Sequence, residues 1–226
     1  MTIDLLTISK FSFPYLCRMN YIEALQKRYS VKKFNKAKIP ADVLKDILEA
    51  GRLSASSLGL QPYKIYVVES NDMLTKLQEA FYNKSQVSTC SHLIIISSKK
   101  EIEDHYIDGY FKHITEVRKV EIESLDKFRK SINSFRDSIE KEKLLNWNEK
   151  QSYIVLGNLM FASALERVDS CPMEGFKPGA IEEILGIDTD KESVTVTLAL
   201  GYRAEDDSFQ HMKKVRKNDD KLFKFL

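Results

Sequence analysis

Apolar positions along this chain follow two periods, and the changes between them divide it into helices and strands. Between Asn20 and Arg28, Ile22, Leu25 and Gln26 stand at helical spacing, predicting a short helix that leads into Arg28-Tyr29-Ser30-Val31-Lys32-Lys33-Phe34. Pro40 is expected in the first turn of the next helix, whose apolar face is Val43, Leu44, Ile47, Leu48 and Gly51. The small residues from Ser54 to Gly59 end it. After Gln61-Pro62, the run Tyr63-Lys64-Ile65-Tyr66-Val67-Val68 is aromatic and β-branched, which predicts a strand. A helix from Asp72 turns Leu74, Leu77, Ala80 and Phe81 inward. The unbroken run Leu93-Ile94-Ile95-Ile96 reads as a central strand covered on both faces.

From Lys99 to Asn146 charge is dense, and Ile107, Tyr110, Phe111 and Ile114 recur helically. This predicts two or three surface helices and no strand. Residues 151–167 form the most apolar helix, for a core or an interface. A short helix at 180–185 and a strand at 193–200 complete the body. The order predicts three layers with few strands and many helices. Residues 19–226 read as one domain, and residues 1–18 as an N-terminal extension outside it.

Composition narrows the functional classes. Hydrophobic residues are 43% and charged residues 30% of the 226, as in a folded globular protein. Lys plus Arg is 35 and Asp plus Glu is 33, so bulk charge gives no reason to expect nucleic-acid binding. Cys17, Cys90 and Cys171 form no CxxC pair, which argues against a disulfide framework or a cysteine zinc site and suits a reducing cytoplasm. No apolar run reaches the ~18 residues of a membrane helix. Asp4 and Lys10 argue against a signal peptide. His92, His105, His113 and His211 show no metal-ligand spacing, so no metal is expected. Dinucleotide, P-loop and nucleophile-elbow glycine motifs are absent.

The positive signal is for an anion. In an extended segment Arg28, Ser30 and Lys32 point to one side and offer three donors together. Taken alone, such a run more often just faces water. Lys213-Lys214-Val215-Arg216-Lys217 repeats the offer, and with the small-residue loop SASSLGLQP it suggests a shared anion cleft.

The stretch from Ala24 to Val68 resembles the opening of the nitroreductase family, the FMN-dependent NAD(P)H oxidoreductases. It carries their R-x-S-x-[KR]-x-[FY] segment, amphipathic helix, small-residue loop ending Gln-Pro-Tyr, and strand. Tyr82-Asn83-Lys84, Pro172-Met173-Glu174-Gly175-Phe176 and Lys214-Val215-Arg216 follow in family order, extending the resemblance over residues 20–217. The resemblance implies an α+β fold. That fold is a three-layer sandwich, a mixed and mainly antiparallel sheet flanked by helices, in a homodimer with FMN at the interface. Helix 151–167 would pack on its mate, and Leu222–Leu226 would wrap the partner.

Carried over by position, Arg28 and Arg216 clamp the phosphate, with Tyr29, Ser30 and Lys214 alongside. Lys32 stands by the pyrimidine side of the flavin, and Asn83 bonds its edge. The backbone of Glu174-Gly175 faces the reacting edge. Ser56 and Ser57 come from the other subunit. Ala55, Leu58, Gly59 and Gln86 depart from the family pattern, Gln86 standing where relatives can carry a lysine. Phe135 is a weaker candidate for an aromatic lid. The implied activity is reduction of nitroaromatics, quinones or a related electron-poor acceptor by NAD(P)H in a ping-pong cycle. The alternatives are a dedicated other substrate or a low-turnover redox-sensing flavoprotein. Because the cofactor carries the chemistry, no side chain is assigned a catalytic role.

Overall fold

The computed structural model describes residues 20–226. The expected extension, residues 1–18, lies outside them. Four strands, β1 (Tyr63–Val68), β2 (His92–Lys99), β3 (Asp169–Met173) and β4 (Glu192–Gly201), form one antiparallel sheet in the order β1-β2-β4-β3. Among the described residues the one parallel pairing is an isolated bridge between Ser30 and Ser170 on the outer side of β3. Leu93, Ile94, Ile95 and Ile96 are fully buried, each worth about 2 kcal/mol relative to exposure. Their side chains alternate between two apolar clusters, which makes the sheet the middle of three layers.

On one face lie α3 (Asn71–Leu77), α4 (Lys84–Thr89) and α8 (Pro178–Leu185), through Leu74, Leu77, Val87 and Ile181. On the other lie α2 (Ala41–Arg52) and α7 (Lys141–Leu165), through Ile47, Val155 and Leu159. A Cβ at Gly51 would stand 2.8 Å from Leu159 Cδ2, so glycine lets α2 approach α7 closely. A bulge where Val194 pairs with Ser97 and Val196 with Ile96 reverses the facing of β4. Val194 accordingly packs in one cluster and Val196 in the other. A third cluster joins α5 (Asp104–Arg118), α6 (Asp126–Ser138) and the start of α7 through Phe111, Ile132 and Leu144.

Several expected boundaries shift. Pro40 caps α2 from outside, and the helix begins at Ala41. The helix beyond Asp72 ends at Leu77 and passes into a tight turn over Gln78–Ala80. The apolar helix begins at Lys141, ten residues before 151, because its first turns are polar outside and rest on the third cluster inside. β3 and α4 were not foreshadowed by periodicity. Phe135 rests on Trp147, with ring centroids 5.0 Å apart. The short helix α1 (Tyr21–Lys27) is capped by Asn20, whose Oδ1 accepts the Ile22 N–H at 2.9 Å.

Candidate functional site

The segment leaving α1 runs along the open edge of β3, held by the Ser30–Ser170 bridge. Val31 is buried, while Arg28, Ser30 and Lys32 line a cleft of about 520 Å³. The opposite wall comes from the far end of the chain: Phe209, Met212, Lys214 and Arg216. Asp207, 3% exposed, joins the two walls. Its carboxylate accepts the N–H groups of Lys32 at 2.7 Å, Lys33 at 3.1 Å and Phe209 at 3.0 Å. Burial alone would raise this carboxyl. The three N–H donors outweigh burial and hold it below the usual carboxylate range. Lys214 Nζ donates to the Arg28 carbonyl and ties the walls a second time.

Among the described residues, none of Arg28, Lys32, Lys214 and Arg216 lies within ion-pair distance of a carboxylate. Burial lowers the Arg28 pKa, and repulsion from Arg216 lowers it further. Burial and the charges of Arg28 and Arg216 do the same to Lys214. Arg28 Nε is buried with no hydrogen-bond partner among the described residues. Converging cations and an unmet donor make a place for an anion with several acceptor oxygens. Arg203, close by, is different. Its guanidinium forks onto Asp169, and it lies 4.6 Å from the Tyr29 ring centroid. Burial and Asp207 push the Tyr29 hydroxyl up to about 12, so it is a protonated part of the wall.

From Ser170 the edge of β3 runs about 13 Å to Glu174. There Tyr82 donates its N–H to the Gly175 carbonyl at 3.0 Å, and Phe81 bridges Phe176. This contact brings Asn83 beside Glu174-Gly175. Asn83 caps α4, its Oδ1 accepting the Ser85 N–H at 3.2 Å. Glu174 accepts the Tyr153 hydroxyl at 2.6 Å, and burial together with that carboxylate raises the phenol to about 12. Midway, buried Gln86 donates its amide to Cys171 Sγ at 3.6 Å, and its own Oε1 has no partner among the described residues. Burial raises the Cys171 thiol, so it is a packed side chain rather than a nucleophile.

Nine of the residues named from the sequence thus share one edge: Arg28, Tyr29, Ser30, Lys32, Lys214 and Arg216 at one end, Asn83, Glu174 and Gly175 at the other. Ser56 and Ser57 do not join them. Ser57 donates its N–H to Gln151 Oε1 at 2.8 Å. Gln151 lies on α7 about 20 Å along the axis from Ala164, which borders Arg28.

The Nitroreductase family model matches residues 25–202. The chain belongs to the nitroreductase family. A Staphylococcus epidermidis protein provisionally named NAD(P)H nitroreductase is 33% identical over 216 residues, 91% of this chain and 96% of that protein. One from Staphylococcus haemolyticus with the same kind of name is 35% identical over 194 residues, 82% of this chain and 89% of that protein. A solved Staphylococcus epidermidis structure, provisionally an NAD(P)H:FMN oxidoreductase, superposes with TM-score 0.81 at 25% identity, covering 92% and 96% of the two chains. A nitroreductase-fold structure from Exiguobacterium sibiricum, in complex with FMN, gives TM-score 0.80 at 21% identity, covering 92% and 97%.

Within this nitroreductase, sequence reasoning missed the residues that build the cleft rather than face it. Asp207 had a weak signal, an acidic residue starting a turn at Ser208. Asp169 and Arg203 had none, because their pairing spans 34 positions.

Proposed function

We propose that this nitroreductase is an FMN-dependent oxidoreductase that uses NAD(P)H to reduce nitroaromatics, quinones or related electron-poor acceptors. One observation carries the reading: Arg28, Lys214 and Arg216 converge with no carboxylate of the described residues within ion-pair distance, and Arg28 Nε is buried without a hydrogen-bond partner among those residues. A phosphate monoester fits that need, since its oxygens accept forked guanidinium bonds. The Staphylococcus epidermidis and Exiguobacterium sibiricum structures support FMN as the molecule that bears it.

When bound, FMN supplies the redox chemistry, accepting hydride from NAD(P)H and yielding it to the acceptor. Arg28 and Arg216, with Ser30 and Lys214, hold the phosphate. Tyr29 supports Arg203 and closes the wall behind them. Lys32 brings a positive charge to the middle of the edge, where it favours a reduced, anionic ring. Asn83 and the backbone of Glu174-Gly175 orient the far end. The reading takes residues 19–226 as one FMN-binding domain working in the cytoplasm. Free, buried Cys90 and Cys171 suit a reducing compartment. No described helix is long and apolar enough to cross a membrane.

The same reading makes the chain a homodimer. Tyr153, Ile154, Gly157 and Phe161 form an exposed, largely apolar stripe on α7. Leu222, Phe223, Phe225 and Leu226 are exposed in the tail. Pairing these surfaces between copies removes them from water and brings Ser56 and Ser57 to the other copy's cleft.

The test is to strip the protein of flavin, titrate it with FMN, and then titrate it anaerobically with NADPH. Binding of about one FMN per chain, then bleaching by about one equivalent of NADPH, is expected. A chain that takes up no FMN refutes the reading. One that binds FMN but is not reduced is a flavin-binding protein without this activity.

A further inference from the structure

The loop between α2 and β1 holds a shape that its residues do not choose unaided. Leu58, Gly59 and Gln61 have φ of 57°, 71° and 45°, a left-handed region costly for residues with side chains. Two tyrosines one turn apart on α5 reach into it. The Tyr110 hydroxyl donates to the Leu58 carbonyl at 3.0 Å. The Tyr106 hydroxyl lies 2.7 Å from the Leu60 carbonyl and 2.8 Å from that of Gln61. A Cβ at residue 59 would run into the Tyr110 hydroxyl, and with φ at 71° the position suits glycine.

The tyrosines are themselves fixed. The Tyr110 ring meets Phe111 and Phe128 edge-on, with centroids 5.6 and 6.4 Å away. Burial raises both phenols, Tyr106 to about 12, so both remain donors at any working pH. Their bonds shape the loop that carries half-buried Ser56 and exposed Ser57. Ser56 Oγ accepts the Gln61 N–H at 2.9 Å, which leaves the hydroxyl proton of Ser56 to be donated elsewhere. Gln61 is itself a left-handed residue gripped by Tyr106, so the aim of Ser56 depends on the clamp.

We propose that Tyr106 and Tyr110 are positioning residues for the cofactor site, holding the loop so that Ser56 and Ser57 present donors to FMN in the facing copy. The inference rests on the cofactor reading above. It adds that a helix outside the cofactor cleft of its own chain sets how tightly the other copy's cofactor is held.

The test uses full-length protein carrying Tyr106→Phe, Tyr110→Phe or both, since phenylalanine keeps the rings and removes only the hydroxyls. FMN affinity is read by flavin fluorescence quenching, loop order by hydrogen exchange over residues 57–61, and folding by the thermal midpoint of the apoprotein. Each single variant is expected to weaken FMN about fivefold, the worth of a neutral hydrogen bond expressed as a ratio. Exchange should quicken over 57–61 and nowhere else. Added to Ser56→Ala, Tyr106→Phe should cost little more, because that hydroxyl reaches Ser56 through Gln61. Faster exchange with unchanged FMN affinity overturns the proposal, and so does full additivity with Ser56→Ala or no change in either readout. If the unaltered chain binds no FMN, the cofactor reading falls and takes this one with it. If the double variant does not fold, the two single variants decide.

Discussion

Arg203 and Arg28 border the same pair of clefts, yet their surroundings are opposite. Arg203 is held by a carboxylate: the Asp169 bonds raise its pKa against the pull of burial. Arg28 has burial and a second arginine against it, and an Nε that bonds to nothing among the described residues. A half-buried cation with its carboxylate in place is scaffold, because its charge is already answered. Cations brought together without one store repulsion that only an incoming anion relieves. Counting basic residues would not separate the two.

Breaking the paired side should cost the fold most. Asp169→Ala removes the acceptor of the Arg203 fork and of the Arg203 N–H, which lies 2.8 Å from it. A loss of about 2–3 kcal/mol in unfolding free energy by urea denaturation is expected, below the value for a fully buried pair because Arg203 keeps contact with water. An unchanged midpoint would show that the fork is decoration.

The unpaired side should respond in reverse. Arg28→Gln relieves repulsion with Arg216 and Lys214, so the apoprotein should unfold at the same urea concentration or a higher one. FMN affinity should fall about tenfold to a hundredfold, the worth of one or two charge-assisted hydrogen bonds to phosphate. If Arg28→Gln destabilises the apoprotein as much as Asp169→Ala does, the contrast between the two arginines is wrong.

How far the sequence foretold this depends on the range of each interaction. β1, β2 and β4 and the faces of α2 and α7 were legible because each repeats a local period. β3 was not: five residues long and interrupted by Pro172, it shows no alternation. Proline is tolerated there because β3 is an edge strand with little to pair on its outer side. α4 has one apolar residue, Val87, and depends on the Asn83 cap. The alternation of Arg28, Ser30 and Lys32 pointed to a shared side, and the fold put them there. Nothing local joined them to Lys214 and Arg216. That join depends on Asp207, which bonds residues 175 positions away and has no counterpart in periodicity.

Asp207 gives the smallest and most condition-dependent test, since it serves both sides of the comparison by holding the walls that Arg28 and Arg203 border. Its pKa is depressed in the folded protein, so the native state binds fewer protons than the unfolded chain in acid. The stabilisation is complete above its ordinary value of 3.8 and is lost as pH falls through the lower folded value. At neutral pH, Asp207→Asn should cost less than Asp169→Ala, because its one amide oxygen can still accept the Lys32 and Lys33 N–H groups and only the Phe209 bond is lost. Its signature lies in the slope: unfolding free energy followed from about pH 6 to pH 2 should fall less steeply in the variant than in the unaltered protein. Parallel curves would mean that the Asp207 carboxylate accepts as a neutral oxygen would, and that charge plays no part in closing the cleft.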